Sequence, residues 1–365
     1  MELSPPESSL ISASKHHAVP GLIRPQNRML SEKVINMGEV TIKDIAEHTG
    51  VSYATVSRTL NHLSGVSPDT RDKVLAAAEE LGYRPNIHAR SLKTNRTNTI
   101  ALLVPDISNP FFADIAFAVD EVAFSKGYTT LLCSSNWNVD IERKQLEQLY
   151  NQRVDGIIYK PAGKNPMDLS HMSIPNVLLS CIPGENESYI EVDNYKGGQI
   201  AADHLISCGY QNFAFIGGTP DSSSNEKRIN GYFDRLKECG KQISRDHVIY
   251  GGFTVESGYK MAQKLFSAFP DVDGIFCGND IIALGVLQYL MEINRKIPEE
   301  TGVVGFDDIM LAGLPQIQMT TVAQPRYQMG KHAAYMLIDF IENKQDINHH
   351  IILDPKLVVR RSTRK

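Results

Sequence analysis

The chain has 365 residues, 42% hydrophobic and 22% charged, and carries a formal net charge of −5. It is too long for one small domain and suits two or three, and no apolar run approaches the roughly 20 residues of a membrane-spanning helix. Its five cysteines are scattered without a CxxC pair in apolar settings, which favours reduced core thiols in a cytoplasmic protein over disulfides or metal.

Residues 1–37 are rich in Ser and Pro and have no coherent period. They also lack the charged start and apolar core of a secretory signal, so a disordered or non-native extension is expected. Periodicity begins at residue 38. Thr41 with Asp44 three residues on has the form of a capping box, Ile42, Ile45 and Ala46 repeat at helical spacing, and Gly50 is a stop. "VSYATVSRTLN" restarts at once, with Ser52 as N-cap and Val56 and Leu60 on one face. Two short helices across a glycine turn predict a helix-turn-helix. A third helix starts at Ser67–Pro68 and presents Val74, Ala77, Ala78 and Leu81 before Gly82.

On the second helix, Tyr53, Ala54 and Thr55, with Ser57 and Arg58 behind them, are small, hydroxylated or cationic. Such a helix can enter a major groove with its N-terminal side chains at base edges; a protein-binding helical domain is the alternative. Residues 38–96 hold eight Lys/Arg and seven Asp/Glu, all the charges after Glu80 being positive, whereas residues 97–365 hold 25 against 32. A basic end on an acidic body points to a polyanion partner for that end alone. "PNIHARSLK", residues 85–93, reads as about two turns of basic helix whose Ile87, Ala89 and Leu92 have nothing local to bury against, and such a helix is marginal in isolation.

From Thr99 the pattern changes to apolar strands alternating with helices. "TIALLVPDI", "GYTTLLCSS", "DGIIYKP", "NVLLS" and "YIEVDN" form one series, with helices near 112–125 and 141–152. "NFAFIGG", "HVIYGGF", "DGIFCGND", "TGVVGFDD" and "MTTVAQP" form another, with helices near 225–239, 256–268, 280–294 and 326–342. This predicts an α/β core of two lobes with parallel sheets. The N-lobe is expected at about 98–193 plus 325–352, the C-lobe at about 194–324 plus 353–365, with a ligand cleft at the strand ends.

Those strand ends carry Asn109, Phe111 and Phe112 in "DISNPFF", Arg228 in "NEKRING", Phe253, Asn279 and Asp280 in "CGND", Asp307 in "VGFDD" and Gln324 in "VAQP". Arg forks, amides, carboxylates and an aromatic face suit a hydroxyl-rich ligand. Singly, each is equally a helix cap or an inter-strand bond. Trp137 is expected at the cleft rim, and Lys160 in "YKPAG" could favour an acidic or phosphorylated sugar. No GxGxxG, GxxxxGK[ST] or GxSxG motif is present, adjacent Asp307 and Asp308 point to opposite sides of a strand, and the His349–His350 pair is isolated. No enzyme, metal site or cofactor is therefore expected.

The intact A-x-x-x-G-V-S-x-x-T-V-S-R-x-L-N signature from Ala46 to Asn61, together with "LGYRPN", resembles the DNA-binding headpiece of LacI/GalR-type transcription regulators. The strand-end constellation of the body is similar to the sugar site of the related periplasmic binding proteins, especially those for ribose-like monosaccharides. The resemblance implies a headpiece at 38–84, a hinge helix and linker at 85–97 and an effector-binding core at 98–365. It makes Tyr53 and Ala54 the major-groove readers, with Thr41, Ser52, Thr55, Ser57, Arg58, Asn61 and His62 around them on phosphates and flanking bases. Asn86, Ala89, Arg90 and Lys93 would follow the DNA in the hinge, Leu92 would wedge into the minor groove, and Arg96 would lie near phosphates. The implied function is a cytoplasmic, homodimeric repressor of a palindromic operator, controlled by a sugar. A nucleoside or purine, or a phosphorylated carrier protein, is the alternative effector, and a solute-binding protein without DNA function is the rival for the body.

Overall fold

The computed structural model describes residues 40–83, 96–169, 172–180, 187–343 and 349–363. The expected hinge contacts Asn86, Ala89, Arg90, Leu92 and Lys93, the extension at 1–37 and Cys181 lie outside the described residues. The chain divides into two units, one ending at Pro85 and the other beginning at Asn86.

The first unit is built from α1 (Ile42–Thr49), α2 (Tyr53–Leu60) and α3 (Pro68–Glu80). α1 starts where Asp44 accepts the Thr41 backbone N–H at 2.7 Å and its hydroxyl at 2.8 Å. Gly50 ends it at φ 64°, which glycine adopts without steric cost. The hydroxyls of Ser52 and Ser67 cap α2 and α3 by accepting the backbone N–H of Thr55 and Thr70. Eight-residue helices are marginal alone; Ile45, Val56, Val74, Ala77 and Ala78 hold these three together in one small buried core.

The second unit contains two six-stranded sheets. β1 (Thr99–Val104), β2 (Thr129–Ser134), β3 (Gly156–Tyr159), β4 (Asn176–Leu179) and β5 (Tyr189–Val192) precede β6 (Phe213–Gly217), β7 (Val248–Tyr250), β8 (Gly274–Cys277), β9 (Gly302–Asp307) and β10 (Thr320–Ala323). β11 (His350–Leu353) then joins the first sheet and β12 (Lys356–Val358) the second. The orders are β11-β5-β4-β3-β1-β2 and β12-β10-β9-β8-β6-β7, parallel throughout except for β12 against β10. The chain therefore passes between sheets three times: after Val192, after Ala323, and between Leu353 and Lys356.

The helices are α4 (Pro110–Ser125), α5 (Val139–Asn151), α6 (Asn194–Ser207), α7 (Ser223–Glu238), α8 (Val255–Ala268), α9 (Asp280–Glu292) and α10 (Arg326–Asn343). They cover both faces of each sheet, which is why the strands read as continuous apolar runs. Ile100, Leu102 and Val104 pack toward α4 and α10, while Ala101 and Leu103 pack toward Leu146 and Leu149 of α5. In the second sheet Ile216 and Ile275 face α8 and α9, and Phe215 and Phe276 face α6 and α7.

Helix α6 has no counterpart in the sequence reading. Its Gly197 and Gly198 each weaken an isolated helix by roughly 1 kcal/mol, but a Cβ at Gly198 would lie only 2.0 Å from the Arg228 carbonyl oxygen of α7. Close packing of two helices explains what propensity disfavours. Cys239, which follows α7, is exposed rather than in the core, because it sits in the turn beyond the last buried stripe; Cys133 and Cys208 are half-buried and Cys277 is buried. Among the described residues, no helix is long and apolar enough to cross a membrane.

Candidate DNA-reading helix and effector cleft

The N-terminal end of α2 stands clear of its own core. Tyr53 is 54% exposed, Ala54 and Arg58 are exposed, and Thr55 and Ser57 are half-buried. The period explains this face: Val56 and Thr59 turn inward, leaving 53, 54, 57 and 58 around the outside. Ser52 Oγ lies 2.9 Å from Thr55 Oγ1, and Asn61 Nδ2 donates to the Ser57 carbonyl at 2.8 Å, so the polar groups at both ends of α2 are held in defined positions. Thr41 and His62 are exposed, His62 at a φ of 54°. Arg96 donates to the Ile341 carbonyl at 2.7 Å within the second unit.

In the second unit a cleft partly open to solvent lies between the two lobes, with an enclosed volume of about 40 Å³. The N-lobe contributes Asn109, Phe111, Phe112, Trp137 and Lys160 to its wall; the C-lobe and the crossovers contribute Arg228, Phe253, Asn279, Asp307 and Gln324. Ten of the eleven residues read from the strand ends thus share one cavity. Each is carried there because the loop after a parallel strand opens on the same edge of the sheet.

Asp280 does not line the cavity. It is fully buried beneath it, accepting the Thr321 hydroxyl at 2.6 Å and the Ile309 backbone N–H at 2.9 Å. Burial raises its pKa well above the ordinary carboxylate value, Asp307 adding to the effect. Its neighbour Asn279 faces the cavity and caps α9, Oδ1 accepting the Ile282 N–H at 2.9 Å. Asn279 is the extended N-cap and Asp280 the first helical residue, so the wall and the foundation are adjacent positions on either side of the helix start.

The polar floor is organised around Arg228. Its Nε donates to Asn194 Oδ1 at 2.8 Å, one terminal nitrogen donates to the Gly278 carbonyl, and the other stands 3.9 Å from Asp307 Oδ1. The guanidinium lies 3.6 Å from the Phe306 ring centroid. Burial lowers the Arg228 pKa to about 10, with Asp307 and Asp280 opposing. Burial likewise raises Asp307 to about 6, against the pull of Arg228 and a 2.6 Å hydrogen bond from Gln324 Nε2. Asp307 adopts a φ of 115°, a strained conformation for a non-glycine residue. Arg326 secures it by donating to the carbonyls of Asp307 and Asp308.

The apolar wall crosses between lobes. Phe111 and Phe112 meet edge to face at 5.0 Å, and Trp137 stacks on Phe253 at 4.1 Å and 19°. Lys160 Nζ donates to the Pro161 carbonyl at 3.3 Å. Burial pushes the carboxyls of Glu142 and Glu191 up, opposed mainly by the Ala162 N–H on Glu142 and the Lys227 ion pair on Glu191, with Lys160 adding a smaller pull on each. Lys160 remains part of the cavity wall. Four wall residues escaped the sequence reading: Ser180, Ser222, Ser224 and Asn225. The first follows β4 and the others open α7, so their only sequence signal was position after a strand, within a serine run that reads as loop.

Comparison with known proteins agrees with both units. Residues 41–86 match the model for bacterial regulatory proteins of the lacI family, and residues 97–359 match that for periplasmic binding proteins and the sugar-binding domain of the LacI family. The ribose operon repressor of Halalkalibacterium halodurans is 36% identical over 324 residues, covering 89% of this chain and 97% of that one. The crystal structure of the lac repressor dimer bound to operator and the anti-inducer ONPF superposes with a TM-score of 0.80 at 25% identity, covering 90% of this chain and 100% of that chain. A periplasmic binding protein/LacI transcriptional regulator from Alkaliphilus metalliredigens, complexed with D-xylulofuranose, gives 0.68 at 30% identity over 73% of this chain and 100% of that chain. An intact helix-turn-helix unit joined to a two-lobed binding core, matched along nearly its whole length, places this chain in the LacI family of DNA-binding transcription regulators, which are not enzymes.

Proposed function

We propose that the chain acts in the cytoplasm as a homodimeric repressor whose operator affinity is set by a small sugar, a ribose-like pentose fitting best, bound between the core lobes. The observation that carries the ligand class is the buried Arg228–Asp307–Gln324 array facing the aromatic wall of Phe112, Trp137 and Phe253. A sugar ring offers hydroxyls to such an array and an apolar face to the aromatics. The names of its relatives, a ribose operon repressor and a regulator bound to D-xylulofuranose, support the same class.

On the DNA side, Tyr53 and Ala54 read base edges, while Thr41, Ser52, Thr55, Ser57, Arg58, Asn61 and His62 hold the backbone. Residues 85–97 act as the hinge, with Leu92 as the minor-groove wedge. A two-fold dimer requires a palindromic operator with half-sites about one helical turn apart. The lac repressor was captured as a dimer on operator. In this chain α4 and α10 pack together and leave Phe117 66% and Phe124 81% exposed, an apolar face suited to a second copy. Ligand and operator are coupled through lobe movement, so each alters the affinity for the other equally, typically by about 1–3 kcal/mol.

A thermal-shift panel of neutral pentoses and hexoses, sugar phosphates, purines and nucleosides tests the ligand. A bound ligand at a hundredfold excess over Kd stabilises by about 2.7 kcal/mol. Stabilisation by a neutral sugar, together with a changed operator affinity, is the expected result. Stabilisation by purines alone, or by no small molecule, overturns the sugar reading.

A further inference from the structure

Most polar groups around the cavity are already committed. Asn109 Oδ1 accepts the Phe111 N–H, Asn279 Oδ1 accepts the Ile282 N–H, and Gln324 Nε2 donates to Asp307. Four buried atoms of wall residues have no hydrogen-bond partner: Asn225 Nδ2, Asn225 Oδ1, Gln324 Oε1 and Trp137 Nε1. Asn225 is 1% exposed, and both ends of its amide are in this condition. A buried, unpartnered amide costs stability, so native proteins rarely keep one without a use.

The backbone is shaped to hold that amide. Asn225 sits in the first turn of α7, its own N–H given to the Ser222 hydroxyl, so the side chain is not needed as a cap. A Cβ at Gly278, beyond β8, would lie 2.7 Å from Asn225 Oδ1. Glycine there leaves the space that the amide occupies.

We infer that Asn225 is a specificity-determining ligand contact, and that the cleft selects an unphosphorylated polyhydroxyl ligand. This rests on the reading of the cleft as a sugar site. Two of the four open atoms are donors and two are acceptors. A hydroxyl satisfies both kinds, whereas a phosphate dianion or a carboxylate placed against these atoms has no proton to give and leaves Asn225 Oδ1 and Gln324 Oε1 unanswered.

The test is calorimetric titration of the full-length chain, Asn225→Leu and Asn225→Ala with neutral pentoses and hexoses, D-ribose included, and with D-ribose 5-phosphate, alongside ligand-free melting. Loss of the amide should weaken the best neutral sugar roughly 10- to 100-fold, while the melting temperature of at least one variant stays equal or rises. Ribose 5-phosphate should bind the parent more weakly than ribose. A variant that melts lower yet binds sugar as the parent does makes Asn225 structural and overturns the inference while leaving the sugar reading intact. Tighter binding of the phosphate overturns it too. Absence of binding by every neutral sugar removes the sugar reading, and the inference with it.

Discussion

Arg228→Met keeps most of the side-chain volume and its packing on Phe306 while deleting the fork. Asn194 Oδ1 and the Gly278 carbonyl then lose the donor that Arg228 supplies, and the Asp307 carboxylate keeps Gln324 but loses its counter-charge. Breaking a buried charge pair from one side costs roughly 3–5 kcal/mol. Part of that cost has a ceiling, because Asp307 can take up a proton. Its carboxyl is raised to about 6 even with Arg228 present, and without the arginine it rises further. Above a carboxyl's pKa, protonating it costs about 1.4 kcal/mol per pH unit. The expected loss is therefore about 3 kcal/mol at pH 7.5 and clearly less at pH 5.5, where Asp307 neutralises at little cost. In a core of this size 1 kcal/mol moves the melting temperature by roughly 2–4 °C, so scanning calorimetry should show a drop of about 6–12 °C at pH 7.5. Arg228→Met combined with Asp307→Asn should recover part of it, since the stranded charge is gone. A variant melting within 2 °C of the parent, or losing equally at both pH values, would refute the view that Arg228 neutralises a buried carboxylate.

Ligand affinity should depend on pH through the same residue. Hydroxyl donors favour ionised Asp307, so the bound pKa lies below the free value of about 6. Affinity is then flat above pH 6 and weakens by up to about tenfold per pH unit below it; a pH-independent Kd from calorimetry at pH 5, 6 and 7.5 would remove Asp307 from the ligand contacts. Substitutions at Tyr53 and Ala54 should change which operators are selected from a random oligonucleotide pool, each base-edge contact being worth roughly 1–3 kcal/mol of discrimination. If the same sequences are recovered and only bound more weakly, those residues do not read bases.

The local layers of this protein are legible in one dimension. Capping hydroxyls at Ser52 and Ser67, the left-handed stop at Gly50 and the inward stripe of Ile45, Val56 and Val74 act within a few residues, so their spacing is enough to place the three helices. The strands of the core are equally plain, because a parallel sheet covered on both faces must be apolar along its whole length. Strand ends then bring distant residues to one edge, which is why Asn109, Arg228, Asp307 and Gln324 share a wall although the chain separates them widely.

What the tertiary structure alone decided is which way neighbouring side chains face and which polar atoms remain open. Asn279 lines the cavity and Asp280 lies beneath it, a difference made by the turn from extended N-cap to helix and by the partners Thr321 and Ile309. Helix α6 exists because Gly198 lets α7 approach at backbone distance, against its own propensity. Trp137 reaches Phe253 across two lobes, and Asn225 is left with both ends of its amide unpaired. None of these has a sequence signature, because each is set by the distance between elements far apart in the chain.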